Sequence, residues 1–403
     1  MKCEFLFINN SFDISGTTDC GASVRSTKLI DALRHIGHVD IINFHETRIE
    51  KRMDCCNVIY DNYLQQTAYI ADEHNAAKRL RKYVKPLNPY SHFTLCREKE
   101  DIIDSAIRRK HYDFIVCRYI SESIRCGIIK YSDRLIVDVD DNPYNETIRT
   151  LASIKLWQPW KYITGLYRAY SVHAMSKKIL DDVCLSFYSN RLEPPHRKSV
   201  YLHNVPGIIE ESPSFACKEN HRLLIVGWMD YAPNRYGVIR FVERIFPRIK
   251  KAVPDATLHI AGKNRDKKLS EWLNSRDGVS ALGFVDDLQK EYDEAQIVVI
   301  PIYHGSGTSV KFIEAISMAK PVVSTPYGTR GFDDMCKEGK DFLCAHNDRE
   351  FAEKTVSLLT SSEECHTLAR NAYTAARTNL TRNSFCETVK SAIVQLEENG
   401  HGN

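Results

Sequence analysis

The residues best suited to chemistry lie in one short run, Gly305 to Ser309, followed by Lys311 and Glu314. Gly305, Ser306 and Gly307 read as a strand-to-helix turn. The helix beginning near Ser309 offers unpaired amides at the positive end of its dipole, and glycine lets a ligand come close to the backbone. Such a corner suits a phosphate, and a diphosphate is its natural guest. A tight turn closed by a serine cap accounts for the same residues without a ligand. Lys311 and Glu314 are three apart and therefore neighbours on the helix. As chemistry, Glu314 accepts hydrogen bonds from a pair of ribose hydroxyls while Lys311 brings charge to the phosphates. As surface, the two make a half-exposed ion pair.

The first half carries a second set. Gly16 and Gly21 bracket a loop after the first strand, which either approaches a diphosphate or acceptor or is a plain connection. Arg25, at the start of the following helix, points at phosphate or at solvent. The string Asp138, Val139, Asp140, Asp141, Asn142 ends a buried strand, where binding groups gather in open sheets. The carboxylates could bind a ligand or Mg²⁺, and capping of the next helix by Asp141 or Asn142 is the third reading. His173 and His203 read as structural histidines. Residues 149–170 interleave Trp, Tyr, Lys and Arg, which suits either an anionic bilayer surface and a lipid-linked acceptor or a core helix with a basic outer face.

These residues need elements to hold them. In the second half, apolar runs at 223–227, 257–262, 279–283, 296–302 and 321–325 alternate with helical stretches at 235–253, 266–275, 287–295 and 309–319. β-Branched runs without polar alternation mark strands buried on both faces, as in a parallel sheet flanked by helices. The first half repeats the theme with strands at 3–9, 38–44, 113–118 and 134–141 and a helix within 23–37. The expected fold is α/β, with two Rossmann-like domains facing a cleft and ligands beyond the carboxyl ends of the strands. Expected boundaries are 1–205 for the N-terminal Rossmann-like domain and 206–380 for the C-terminal one. Residues 381–403 would form a C-terminal helix packing back on the first domain.

Composition narrows the classes. The chain has 403 residues, 43% of them apolar, with 55 Lys and Arg against 52 Asp and Glu, a formal charge of +3. This disfavours a basic nucleic-acid-binding protein. Residues 151–200 depart from the balance, with 8 basic against 3 acidic side chains. No apolar run has the roughly 18 residues that span a bilayer, and the N-terminus lacks a signal-peptide pattern. The 13 cysteines lie scattered without a C-x-x-C framework, which suits reduced thiols, and no Cys/His cluster has zinc-ligand spacing. The expected location is cytoplasmic or peripheral at the inner face of a membrane.

Three strings carry a resemblance: VGWMDYAPNRYGVIRFVERIFP, LHIAGK, and ALGFVDDLQKEYDEAQIVVIPIYHGSGTSVKFIEAISMAKPVVSTPYGTRGF. In this order and spacing they resemble the donor domain of GT-B glycosyltransferases, in particular the retaining group known as family 4 or group 1. The resemblance implies that Glu314 binds the nucleotide ribose and that Gly307, Thr308 and Ser309 hold the diphosphate through main-chain amides. It implies further that Gly227 faces the phosphates, that Phe284 and Val285 lie beside the base, and that Lys263 sits near the donor. Arg235 and Lys311 are the cations implied for the leaving group, with Lys311 and Glu314 the catalytic candidates. Gly16, Gly21, Arg25, Asp140 and Asp141 fall to the acceptor or the cleft. The implied activity moves a sugar from a nucleoside diphosphate sugar to a saccharide or lipid-linked acceptor, with retention, in surface polysaccharide synthesis, and with no metal or other cofactor. This chain departs from the pattern at Ser306, where many relatives carry a glutamate, and at Trp228, Met229 and Asp230, where many carry cations. Those departures keep open a catalytically silent nucleotide-sugar-binding subunit or a GT-B isomerase.

Overall fold

A computed structural model describes residues 3–10, 14, 21–45, 56–61, 95–140, 142, 144, 147, 148, 151, 159–190, 196, 198–207, 209, 211, 213, 215, 218–305, 308–332 and 334–400. It divides into two units, Met1–His203 with Arg382–Asn403, and Asn204–Thr381.

The first unit is built on a parallel sheet of order β3-β2-β1-β4-β5-β6-β7. Its strands are β1 (Cys3–Asn9), β2 (Gly37–Asn43), β3 (Cys56–Asp61), β4 (Phe114–Arg118), β5 (Leu135–Asp140), β6 (Leu185–Tyr188) and β7 (Ser199–Tyr201). β1, β4 and β5 are buried almost throughout, as their unbroken apolar runs require. The helices are α1 (Gly21–Arg34), α2 (Arg97–Arg109), α3 (Ile120–Arg125) and α4 (Pro159–Asp182). The C-terminal helix, Arg382–Gly400, belongs to this unit: Arg382 is paired with Asp31 of α1 at 2.6 Å, and Phe385, Val389 and Ile393 on it are buried.

The second unit carries a parallel sheet of order β10-β9-β8-β11-β12-β13. Here the strands are β8 (Arg222–Val226), β9 (Thr257–Ala261), β10 (Val279–Gly283), β11 (Ile297–Ile300), β12 (Val322–Ser324) and β13 (Leu343–Cys344). Its helices continue the numbering: α5 (Ala232–Arg240), α6 (Phe246–Ala252), α7 (Lys267–Asn274), α8 (Leu288–Glu294), α9 (Val310–Ser317), α10 (Pro326–Thr329), α11 (Asp348–Thr360) and α12 (Ser362–Asn379). The single helix expected over 235–253 is interrupted by a π-turn at Phe241–Ile245. The cause is Pro247, which has no N–H to give and whose ring crowds the carbonyl four residues back.

Both sheets are of the doubly wound type, in which chain order reverses at one point and opens a crevice beyond the strand ends. In the second unit the reversal falls between β8 and β11, so the turns after Val226 and after Ile300 flank it. The helix that follows β11 is fixed from behind. Phe312, Ile313, Ala315 and Ile316 of α9 are buried in a cluster that includes Phe332 and Phe342, the Phe312 and Phe342 rings meeting edge to face at 5.1 Å. At helical period this leaves Lys311 and Glu314 on the opposite side, toward the crevice.

Candidate functional site

The second unit gathers several of the residues singled out in the sequence. Gly227 follows β8, Lys263 follows β9, Phe284 and Val285 follow β10, and Thr308 and Ser309 precede α9. All the strands are parallel, so these positions share the carboxyl edge of one sheet. The β8 and β9 turns touch: a Cβ on Gly262 would meet the Gly227 carbonyl at 2.0 Å, so only glycine fits there. Lys311 packs over the first of these turns, since a Cβ on Gly227 would lie 2.7 Å from Lys311 Cε and 2.9 Å from Asn234 Nδ2. Gly305 has φ +144°, a region that glycine alone enters without strain.

Side chains cap four of the described helix starts of this unit, and the start of α9 is not among them. Asp266, Asp287, Asn347 and Ser361 each cap their helix through a side-chain oxygen. Ser309, at the same position of α9, makes no such bond, and its Oγ is buried with no protein partner. An N-cap hydroxyl that neither caps nor meets water leaves both itself and the first amides ready for another acceptor. Thr308 is held by the side-chain amide of Asn204, which donates to Thr308 Oγ1 at 2.6 Å.

Lys311 and Glu314 form no ion pair. Burial raises the Glu314 carboxyl to about 7, against the pull of Lys311 and of the Gly207 amide that donates to it. Burial likewise lowers the Lys311 ammonium, with Glu314 opposing. Each charge is therefore desolvated without being bonded to the other, and the half-exposed pair allowed by the spacing does not exist. The neighbours are of the same kind. The Tyr292 hydroxyl is buried, has no partner, and is held protonated by burial and by the Glu314 charge. Asn234, which sequence reasoning passed over, donates from Nδ2 to the Trp228 carbonyl at 2.7 Å and leaves Oδ1 buried and unpartnered. Its only signal was an asparagine following proline at the start of a helix.

The remaining second-unit candidates are engaged with protein. Arg235 is paired with Asp266 at 2.6 Å, which leaves it less available for phosphate than the sequence suggested. Lys263 Nζ lies over the Phe284 ring, 5.1 Å from its centroid, and that ring is 58% exposed. Val285 is packed against the core cluster around α9. The indole of Trp228 is fixed by donation to Asp230 at 2.9 Å.

In the first unit the structure corrects one expectation. Arg25 is neither a solvated helix charge nor an exposed acceptor ligand: it is 2% exposed. It grips Asp138 with Nε at 2.9 Å and one terminal nitrogen at 2.6 Å, and gives the other to the Leu202 carbonyl at 3.0 Å. Arg118 ends β4 directly opposite Asp138 in register and binds it at 2.8 Å, then reaches Asp140 at 2.6 Å. Asp140 and Tyr119 both have positive φ, 51° and 65°, and the Tyr119 hydroxyl contacts Asp140 at 3.2 Å. Burial would raise the Asp140 carboxyl, but Arg118 and Arg25 outweigh it and hold it below its ordinary value. Two carboxylates and two guanidiniums thus balance, and only Asp140, with its side chain 16% exposed, shows an edge to solvent. Arg118 and Tyr119 were missed because strand register is not written in local sequence; the alternation that places Asp138 and Asp140 on one side of β5 was visible.

Gly16, Asp141, Ser306 and Gly307 lie outside the described residues. Gly21 opens α1. Helix α4 combines the two readings of the basic aromatic stretch. Its second half is core, with Val172, Met175, Ile179 and Leu180 buried, whereas Trp160, Tyr162, Ile163, Leu166 and Tyr170 of its first half are exposed. No helix among the described residues is long and apolar enough to cross a membrane.

Residues 220–361 match the family described as glycosyl transferases group 1. A protein of Klebsiella pneumoniae, described as an uncharacterized 44.6 kDa protein in the cps region, is 26% identical over 285 residues, covering 67% of this chain and 71% of its own. HepE of Anabaena, solved with UDP and glucose, superposes with a TM-score of 0.60 at 12% identity over 97% of this chain and 99% of its own. WaaG, a glycosyltransferase involved in lipopolysaccharide biosynthesis, does so with a TM-score of 0.61 at 15% identity, again over 97% and 99%. The two parallel α/β sheets and these neighbours agree on the GT-B fold. Residues 220–361 thus form a glycosyl transferases group 1 domain, and the chain that carries it is a glycosyltransferase of GT-B fold.

Proposed function

We propose that the second unit binds a nucleoside diphosphate sugar and that the enzyme transfers its sugar, with retention, to a saccharide or lipid-linked acceptor in surface polysaccharide synthesis. The observation that carries this reading is the set of groups around α9: Ser309 Oγ and Asn234 Oδ1, buried without partners, and Lys311 and Glu314, desolvated and not paired with each other. A diphosphate would answer the amides at Thr308 and Ser309 together with Lys311, and ribose hydroxyls would answer Glu314. Phe284 offers an exposed ring beside Lys263, which suits a base.

During transfer the acceptor hydroxyl oxygen bonds to the anomeric carbon as its bond to the diphosphate breaks. The acceptor proton passes to the departing diphosphate, whose growing charge Lys311 and the α9 amides stabilise. No bound metal is part of this scheme. Asp140, ionised and showing one edge, is assigned to acceptor hydroxyls. The relative from the cps region supports the polysaccharide setting.

The first half of α4 supports a peripheral membrane contact. Trp160, Ile163, Leu166 and Tyr170 are exposed along it, and residues 147–180 hold six Lys or Arg and no acidic side chain. Aromatic and basic side chains in this arrangement favour the interface of an anionic bilayer.

The deciding experiment incubates the full chain with UDP- and GDP-sugars plus candidate acceptors and measures nucleoside diphosphate release and the anomeric configuration of the product. Release that depends on an acceptor is expected. A thermal shift with every donor but no release with any would instead identify a binding subunit.

A further inference from the structure

We infer that Glu338, Cys344 and His346 form a binding site for one divalent cation of zinc type, at the β13 edge of the second unit's sheet. One donor atom from each of the three lies within 4.8 Å of the others. The fold makes this grouping from residues whose spacing announces nothing. Cys344 is the last residue of β13 and His346 follows two positions later, an interval that returns to the same face of an extended chain. Glu338 is brought beside them by a parallel bridge with Phe342, across a turn that Gly339 makes possible at φ +76°.

The donors name the cation. A thiolate, an imidazole and one carboxylate suit zinc, which takes three protein ligands and keeps a fourth position for water, whereas calcium and magnesium take oxygens. Bonds of about 2.0–2.3 Å in a tetrahedron put donor atoms roughly 3.3–3.7 Å apart. The three therefore draw in by about an ångström, and Glu338 and His346 are exposed and can do so by side-chain rotation.

Cys344 is buried in the cluster beneath α9, so the movement falls to the two exposed side chains. Lys354 holds Glu350 at 2.7 Å and the Cys344 carbonyl, with Glu338 its more distant partner at 3.8 Å. The His346 amide donates to Glu350 at 2.9 Å, and Asn347 caps α11 through Glu350 N at 2.9 Å, so the backbone carrying the imidazole is already held. Charge closes as well: the cation replaces the Cys344 proton, which leaves to solvent, and two positive charges meet one thiolate and one carboxylate. Such a centre clips the turn at 338–346 to the sheet edge and takes no part in sugar transfer.

The test uses the full chain, stripped with chelator, dialysed, and titrated with Co²⁺ alone while the thiolate-to-cobalt charge-transfer absorption is followed. One equivalent per chain is expected, with one proton released for each ion bound. Zn²⁺ should displace the cobalt and raise the melting temperature. His346→Ala and Glu338→Gln, both at exposed positions that leave folding intact, should each weaken binding by more than about tenfold. Cys344→Ser should remove the absorption band, and Cys386→Ser, in the other unit, should leave it. No band at one equivalent, or affinity unchanged in both exposed-site variants, overturns the assignment.

Discussion

Each unit buries a small set of charges near the carboxyl edge of its sheet, and the two sets are finished differently. In the first, Arg25, Asp138, Arg118 and Asp140 neutralise one another through hydrogen bonds of 2.6–2.9 Å. In the second, Lys311 and Glu314 are partly buried and unbonded to each other, beside a serine hydroxyl and an amide oxygen that lack partners. Desolvation is costly in both places, and only the first set offsets it within the protein. The contrast separates scaffold from proposed site: a closed network fixes β4, β5 and α1 relative to one another, whereas our proposal assigns the missing partners of the open one to a ligand.

The largest effect should come from breaking the closed network. Asp138→Ala leaves two buried guanidiniums with Asp140 as their one remaining carboxylate in the network and is expected to cost about 3–5 kcal/mol of stability, read as a fall in melting temperature. If the melt hardly moves, the network is not what holds that edge. Lys311→Ala should behave in the opposite sense, with stability unchanged or raised because a desolvated charge is gone. Its turnover should fall by roughly a hundredfold with a modest change in donor affinity. Full kcat in that variant would exclude Lys311 from leaving-group stabilisation.

Glu314→Ala should weaken nucleotide binding by about ten- to a hundredfold, more than Lys263→Ala, because ribose hydroxyls lose their acceptor. Calorimetric titration with UDP and GDP decides this, and affinity equal to the parent protein refutes the ribose assignment.

Protonation gives a finer test. The Glu314 carboxyl is raised from 4.5 to about 7, so folding favours its protonated form. Its contribution to stability is present below pH 4.5 and lost as pH climbs through about 7. Ligand binding runs the other way, since the ionised carboxylate is the better acceptor. Donor affinity should thus rise with pH up to about 7 and then level off, and Glu314→Gln should flatten both profiles. The smallest expected effect is that of chelator on initial transfer rates, which should stay nearly intact; loss of activity restored by Mg²⁺ would move the acidic end of β5 from acceptor binding to metal binding.

Much of the fold was legible from pattern alone. Strands such as Leu223–Ile225 and Ile297–Ile300 are continuous apolar runs because both sheet faces are covered, and the helices between them carry their apolar stripe at the expected period. Lys311 and Glu314 could be placed on one helix face, and the glycines around 305 at a strand-to-helix turn, because both inferences use only residues a few positions apart. Arg25 could not be read this way. Its fate depended on Asp138, 113 residues away, arriving beneath it. Arg118 needed the β4–β5 register, Glu314 needed to be desolvated rather than paired, and Glu338, Cys344 and His346 needed a bridge and a turn to bring them together. Periodicity and turn chemistry are local and therefore readable in the chain. Partnership and solvation depend on what the rest of the molecule brings to the same place, and only the folded structure decides them.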